Sequence, residues 1–487
     1  MDKAIRWYDY IIINIYFLGL TALSQTNGLV FPLLVQKFVG ETDQGTFFGT
    51  LRLWTLMVAL LVQSAMGMVS DHSKMRRGRR RPFIFTGTIF ELVFIAAIGF
   101  SIGMEGMRGF WFLFVMAILL SISSNTAQAA QQGLIPDLVP EEKRGRFSGV
   151  KALFELPLPL LLVSFTIARL ISQGYMWAGI IAVMIVLAIC MIITMFVNEK
   201  PLIEHLVQLD WTPFFRLLAM TGMFTAIILI MGAIIKQIGV WSISINQTFT
   251  LAVIMGLTGL VTMIIAVALG VWISIRISLG NNALMNPAYC WWVINRLAFL
   301  VGAFNLSSFA LFYLQARLGF VRQEAAQPAA ILMLIVGIFI LLFSLPSGLL
   351  SDKIGHKRVV AISGFLAFIG TLVAILVPSM TVIYIGGCLI GAATGIFYTS
   401  NWALGTALVP KAEAGRYLGI SNLAGAGAGA VGAYIGGPIA DYFTNYVPEF
   451  PGFGYILLFV IYGLLFLFSV YAATRIKNQP KLSSSLN

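Results

Sequence analysis

Residues 67–84 read GMVSDHSKMRRGRRRPFI, and residues 348–358 read GLLSDKIGHKR. In both, an apolar run ends in Ser-Asp (Ser70-Asp71 and Ser351-Asp352) and turns through a glycine into basic residues. A second pair follows in the same order: Val139 to Val150, VPEEKRGRFSGV, recurs as Val409 to Ile420, VPKAEAGRYLGI. The offsets are 281 and 270 residues, and two unrelated motifs repeat in one order. This predicts two six-span halves in parallel repeat, the plan associated with alternating access.

The rest of the chain agrees with a membrane reading. Of its 487 residues 59% are hydrophobic and 10% charged, with a mean hydropathy of +0.91. A soluble domain is roughly 45–50% apolar and about 25% charged, so soluble enzymes, disordered scaffolds and disulfide-rich modules are excluded. Apolar spans run over about 11–36, 46–70, 83–103, 110–134, 148–171 and 175–197. After an amphipathic stretch come 214–235 and 249–275. The remaining six lie at about 289–316, 328–350, 359–377, 381–408, 418–440 and 454–474. The first run continues past Pro32 without a small-residue cleavage site, so it reads as a retained helix rather than a signal peptide.

Loop charge orients these spans. With both termini cytoplasmic, 23 of the 31 Lys and Arg fall on the cytoplasmic side, five outside and three within spans. That bias is the positive-inside rule for short loops. It also explains the +12 net charge better than nucleic-acid binding does, since long apolar spans separate the basic residues. The expected fold is an all-α integral membrane protein of about 14 spans: two six-helix bundles (1–197 and 289–475), a linker with an inserted hairpin (198–288), and a cytoplasmic tail (476–487). A multi-pass plasma membrane location, the bacterial inner membrane, follows from the same reading.

The G-x-x-S-D…G-R-R-R loop and its second copy resemble the major facilitator superfamily. Within it, Gly67 to Ile84, Asn125-Thr126-Ala127-Gln128 and Leu134-Ile135-Pro136-Asp137-Leu138 are similar to the sucrose-transporter branch and related glycoside–cation symporters. The resemblance covers most of both halves but not the 214–275 hairpin. It departs at Gln132, where the branch often has arginine, and at Asn401, near which many bacterial relatives carry an aspartate. Asparagine cannot titrate, which counts against an inherited proton route there. The resemblance implies a central cavity lined by core helices one, four, seven and ten.

Charges inside spans are costly and are functional candidates by default. Arg52 and Arg169 lie toward external helix ends, where snorkelling to the surface accounts for them. Glu91, Glu155 and Arg296 share a depth of roughly 11–12 Å from the cytoplasmic helix ends, at about 1.5 Å per residue. On the implied arrangement Arg296 (core helix seven) and Glu155 (helix five, just before Pro157 and Pro159) are placed for substrate or coupling. Their alternative is a structural ion pair. Glu91, on helix three, reads as a packing acid, neutral or paired with Arg52. Gln25 and Asn27, Asn125, Gln128 and Gln132, Asn305, and Tyr398, Asn401 and Trp402 supply amides and aromatics suited to hydroxyl-rich ligands. Interhelical hydrogen bonding is the competing role for each.

Pseudo-symmetry further predicts a cytoplasmic gate that includes Arg79, with Asp71 meeting helix eleven near Arg416 and Asp352 meeting helix five near Arg146. The glycines Gly425, Gly427, Gly429, Gly432 and Gly436 permit close helix approach. The uncharged hairpin is expected at the periphery, facing lipid all round, where it pads the junction or meets a membrane-protein partner. Cys190, Cys290 and Cys388 lie apart in apolar runs as small hydrophobes, and His72, His205 and His356 sit in polar connections. No nucleotide loop, metal cluster or nucleophile motif is present, so no enzyme and no cofactor is expected beyond a proton or sodium coupling ion. Two classes remain: a cation-coupled symporter of a sugar, glycoside or similar small solute, and a non-transporting subunit of the same fold that serves assembly or partner binding.

Overall fold

The computed structural model describes residues 6–75, 78–199, 211–242, 247–280, 286–409, 414–447 and 449–476, without the side chains of 414–416, 418, 419 and 421–423. The linker from 200 to 210, the tail from 477 onward and the Arg416 side chain therefore lie outside the described residues.

Fourteen long helices follow one another among the described residues. They are α1 (Asp9–Val39), α2 (Gln44–Asp71), α3 (Arg81–Gly103), α4 (Gly106–Leu138), α5 (Glu141–Ser172), α6 (Met176–Thr194), α7 (Thr212–Ser242) and α8 (Thr248–Ser278). Then come α9 (Pro287–Leu318), α10 (Arg322–Ile354), α11 (His356–Leu376), α12 (Met380–Leu408), α13 (Ala414–Tyr446) and α14 (Phe453–Arg475). Among the described residues, thirteen of them, α1 to α12 and α14, are long and apolar enough to cross a membrane by length and composition. Helices predominate because a bilayer offers no water to backbone groups, so each segment must satisfy its own N–H and C=O.

The prolines after Glu155 interrupt α5. The regular helix stops at Glu155, Leu156 departs from helical geometry (φ −126, ψ −70), and a new turn starts at Pro157. Proline removes the backbone donor and its ring crowds the preceding turn, so the helix cannot run through.

The chain packs as two compact units. Unit 1 comprises Met1–Leu218, Ser308–Gly337 and Gly436–Tyr455; unit 2 comprises Ala219–Ser307, Ile338–Ile435 and Ile456–Asn487. In unit 1, Tyr16, Phe17, Ile84, Phe110, Leu134 and Phe147 are fully or nearly fully buried. In unit 2, Phe299 stacks on Phe397 with ring centroids 3.7 Å apart and leans on Phe466.

The hairpin departs from its expected lipid contact all round. Phe224 of α7 is buried against Gly270 of α8 and Gly427 of α13, and Gly232 lies on the Tyr434 ring. Lys236 caps that contact with its ammonium 5.6 Å from the centroid of Tyr434. The opposite face stays exposed along Val253, Leu257, Val261, Ile265 and Leu269. Glycines made the difference: without side chains at 270 and 427, a phenylalanine ring enters where two helices would otherwise hold it off. Gly427 of α13 serves this packing and Gly432 likewise admits the Asn305 amide, whereas a Cβ on Gly425 would meet open space.

Candidate functional site

Unit 1 encloses a half-open cavity of ≈ 390 Å³ between α1, α2 and α4. Thr21, Ser24 and Asn27 recur three residues apart on α1; Arg52 and Thr55 do so on α2; Ser121, Ser124, Asn125 and Gln128 share one face of α4. That spacing brings the polar residues of each apolar helix into one wall. Ser121 donates to the Thr55 carbonyl at 2.9 Å and ties α4 to α2, while Asn125 donates to its own helix at the Ser121 carbonyl, 2.8 Å away. Of the amides singled out in the sequence, Asn27, Asn125 and Gln128 line this cavity, whereas Gln25 and Gln132 are not in its lining.

Arg52 also lines the cavity, with its guanidinium 5.9 Å from the Phe48 ring centroid. It lies two turns inside α2, which begins at Gln44, and a depth of about 12 Å is reached in eight residues at 1.5 Å each.

Behind the α4 wall sits Glu91, fully buried. Tyr16 donates its hydroxyl to Glu91 Oε2 at 3.1 Å and shares a 2.5 Å contact with Thr88 Oγ1. Ser124, itself in the cavity lining, also interacts with the Glu91 carboxyl. Glu91 is thus met by hydroxyls rather than by Arg52. Glu155 has a different environment: its side chain is 43% exposed and stands 3.6 Å from Lys151 one turn earlier.

In unit 2, Arg296 is held by a chain of amides. Asn295 donates to the Ser469 carbonyl and hydroxyl at 2.7 and 2.9 Å, and Asn401 donates to Asn295 Oδ1 at 2.8 Å. This leaves Asn401 Oδ1 to accept from Arg296 at 3.0 Å. The guanidinium lies 5.6 Å from the Trp402 ring centroid. Trp292 donates to the Asn401 carbonyl at 2.9 Å, its ring lodged over Gly405, and locks α9 to α12. Within its own unit Glu155 has Lys151 beside it, and Arg296 has Asn401. Asn305 is buried and donates to the carbonyls of Val301 and Ala428, so it joins α9 to α13 as a packing amide.

At the end of unit 1 bearing the basic loop, Arg80 is the centre, although the sequence had singled out its neighbour. It is 5% exposed and binds Ser70 Oγ at 2.6 Å, Asp137 at 2.9 Å, and Asp71. Arg79 pairs with the same Asp137. Glu199, from beyond α6, accepts the Arg80 and Arg81 backbone N–H groups at 2.7 and 3.1 Å and so caps the start of α3. Asp71 thus has a partner in its own loop. The Arg416 side chain expected to meet it is outside the described residues, and Arg146 and Asp352 are both exposed.

The opposite end of unit 1 carries a contact that the sequence did not announce. Asp441, 4% exposed, accepts the backbone N–H groups of Gly45 and Thr46 at 2.8 and 2.7 Å, one on each carboxylate oxygen. Gln44 donates to Tyr455 at 2.9 Å, Gln315 to Gln36 at 3.1 Å, and Asn445 to the Thr42 carbonyl at 2.9 Å. The start of α2 and the end of α13 meet at glycines: a Cβ on Gly45 would lie 2.7 Å from the Gly437 carbonyl oxygen.

Residues 292–486 match the sequence model of the Major Facilitator Superfamily. No curated protein matches the chain. Among solved structures it is similar to the nucleoside transporter NupG (TM-score 0.62, 14% identity, covering 96% of this chain and 99% of that one). It is also similar to the inward-open xylose transporter XylE from E. coli (TM-score 0.59, 14% identity, 98% and 97% covered). A third is a POT family transporter in complex with 5-aminolevulinic acid (TM-score 0.61, 13% identity, 96% of each chain covered). At such identities these likenesses concern the fold, and it extends over nearly the whole chain. The chain is thus an all-α protein with thirteen candidate membrane spans among its described residues, whose residues 292–486 match the Major Facilitator Superfamily and whose fold is similar to these transporters over nearly its whole length.

Proposed function

We propose that the chain is a secondary transporter that moves a small polar solute, of the sugar or glycoside kind, by alternating access and in symport with a cation, most simply a proton. The observation that carries this reading is the cavity of unit 1, where hydroxyls, amides and one guanidinium are gathered inside otherwise apolar helices. Buried polar groups are expensive in a membrane and persist where they face water or a ligand. The structural neighbours include transporters of nucleosides and of xylose, one of them described as a D-xylose-proton symporter. In this reading residues 1–197 and 289–475 form the two moving bundles, and both termini face the cytoplasm.

The coupling acid in this proposal is Glu91 rather than Glu155. A buried carboxyl met by hydroxyls takes up a proton without breaking an ion pair, and Ser124 connects it to the cavity wall. Glu155 is half-exposed and already beside a lysine. Uptake of labelled sugars, glycosides and nucleosides and of their acidic and phosphorylated forms into proteoliposomes, with and without an inward proton gradient, tests the function. Glu91→Gln should keep exchange of solute across the membrane yet lose accumulation driven by the gradient, while Glu155→Gln should keep both. Gradient-driven accumulation by the Glu91 variant rejects the assignment, and absence of any uptake by the unaltered protein rejects the transporter reading.

A further inference from the structure

We infer that the solute is an anion, gripped through a carboxylate or phosphate group by the Arg296 guanidinium; this rests on the transporter reading and specifies its substrate class. Arg296 lies about two and a half turns inside α9, at a depth where an unneutralised cation is costly. Within unit 2, its described neighbours are an amide oxygen, the Trp402 ring and the Tyr398 phenol, none of them a carboxylate, and its Nε–H is buried without a hydrogen-bond acceptor. The sequence of unit 2 contains two acidic residues, Asp352 and Glu413, against eleven Lys and Arg. Asp352 is exposed near the end of α10, and no carboxylate of unit 2 comes within 4 Å of an Arg296 nitrogen among the described residues.

The guanidinium is also aimed. A guanidinium presents five N–H donors in a planar fork, and the one bond to Asn401 leaves the remainder for a bidentate acceptor. Asn401 cannot turn its amide toward Arg296 without giving up its own donation to Asn295, which is held in turn by Ser469. The relay therefore keeps an oxygen on one side of the fork and fixes its orientation, the arrangement that preorganises an anion site. Trp402, 42% exposed beside the guanidinium, offers a flat surface for the body of the solute. The cavity of unit 1 has the same sign: Arg52 is the one charged residue in its lining.

The test is binding to the full-length protein reconstituted in phosphatidylcholine, using pairs that differ in charge alone as far as chemistry permits. The probes are D-glucuronate with D-glucose, D-glucose 6-phosphate with D-glucose, and succinate with succinamide. At least one acid should bind about 30-fold or more tightly than its neutral partner, the worth of charge-assisted hydrogen bonds in a dry site. Arg296→Gln should erase that preference and leave weak neutral binding, and Arg296→Lys should restore part of it through charge without the fork. Equal binding within every pair, no binding of any probe, or a preference that survives Arg296→Gln overturns the inference. Loss of the acid's binding when phosphatidylglycerol is added assigns the site to a lipid headgroup and overturns it too. The comparison within pairs needs no variant, so a misfolded Arg296 variant leaves it decisive. Selective binding of an acid without uptake leaves the anion site standing and rejects transport. Uptake confined to neutral solutes does the reverse.

Discussion

Replacing Gly437 with leucine is expected to separate the start of α2 from the end of α13. The two backbones touch there, and a Cβ at either 437 or 45 would meet the carbonyl of the other glycine. Backbone cannot rotate aside as a side chain can, so the strain falls on the helix contact itself, and overpacking of this kind costs about 1–3 kcal/mol or more. Separation would withdraw Asp441 from the Gly45 and Thr46 N–H groups, which are among the donors that α2 cannot satisfy internally. Maleimide labelling of a cysteine placed at Thr46 should then speed up by about tenfold or more, in line with that energy. Asp441→Asn is the milder companion: it keeps the shape but turns an NH2 toward one backbone donor, for a loss of roughly 1.5–3 kcal/mol. Unchanged labelling in Gly437→Leu would show that this contact does not hold the end of the unit closed.

Arg80→Ala should destabilise unit 1 more than any other single charge removal at that end. Its guanidinium is buried and joins Ser70, Asp71 and Asp137, while Gly133 leaves the room it occupies. Removing the cation strands Asp137, which is 19% exposed, beside a helix end with Arg79 alone to compensate. Breaking a buried pair in this way costs about 3–5 kcal/mol, of which the half-exposed Asp71 contributes little because water screens it. Arg80→Lys should recover only a small part, since one ammonium cannot bridge three acceptors in a fixed plane. Gly133→Ala should mimic the loss by displacing the guanidinium. Thermal unfolding in detergent measures all three, and an Arg80→Ala transition within about 0.5 kcal/mol of the unaltered protein, the range of an ordinary surface change, would refute the node.

The membrane class, the helix succession and the break at Pro157 were legible because each depends on neighbours in the chain. A run of apolar residues sets its own length requirement, and a proline removes its own donor. Repetition of Gly67 to Asp71 at Gly348 to Asp352 carried the resemblance for the same reason: it is a pattern in the string. Part of the site was legible too. Asn27, Asn125 and Gln128 are amides inside apolar helices, and such residues are expected to face something polar.

What the string left undecided are the pairings. Glu155 and Arg296 can be counted along their helices, but the string does not say that Lys151 stands beside one and that Asn401 accepts from the other. Arg52 could be placed near a helix end from the sequence, but not in the wall it shares with α1 and α4. The caps show the division most clearly. Asp43 stands directly before α2, where a local sequence reading would seek its cap, yet its side chain makes no capping bond. Asp441 does so from 396 residues away, because the Gly45–Gly437 contact brings its carboxylate to the helix start. Periodicity, hydropathy and proline act over a few residues and can be read in order along the chain; the partner of a buried charge is whichever group three-dimensional packing brings within about 3 Å, and only the tertiary structure decides that.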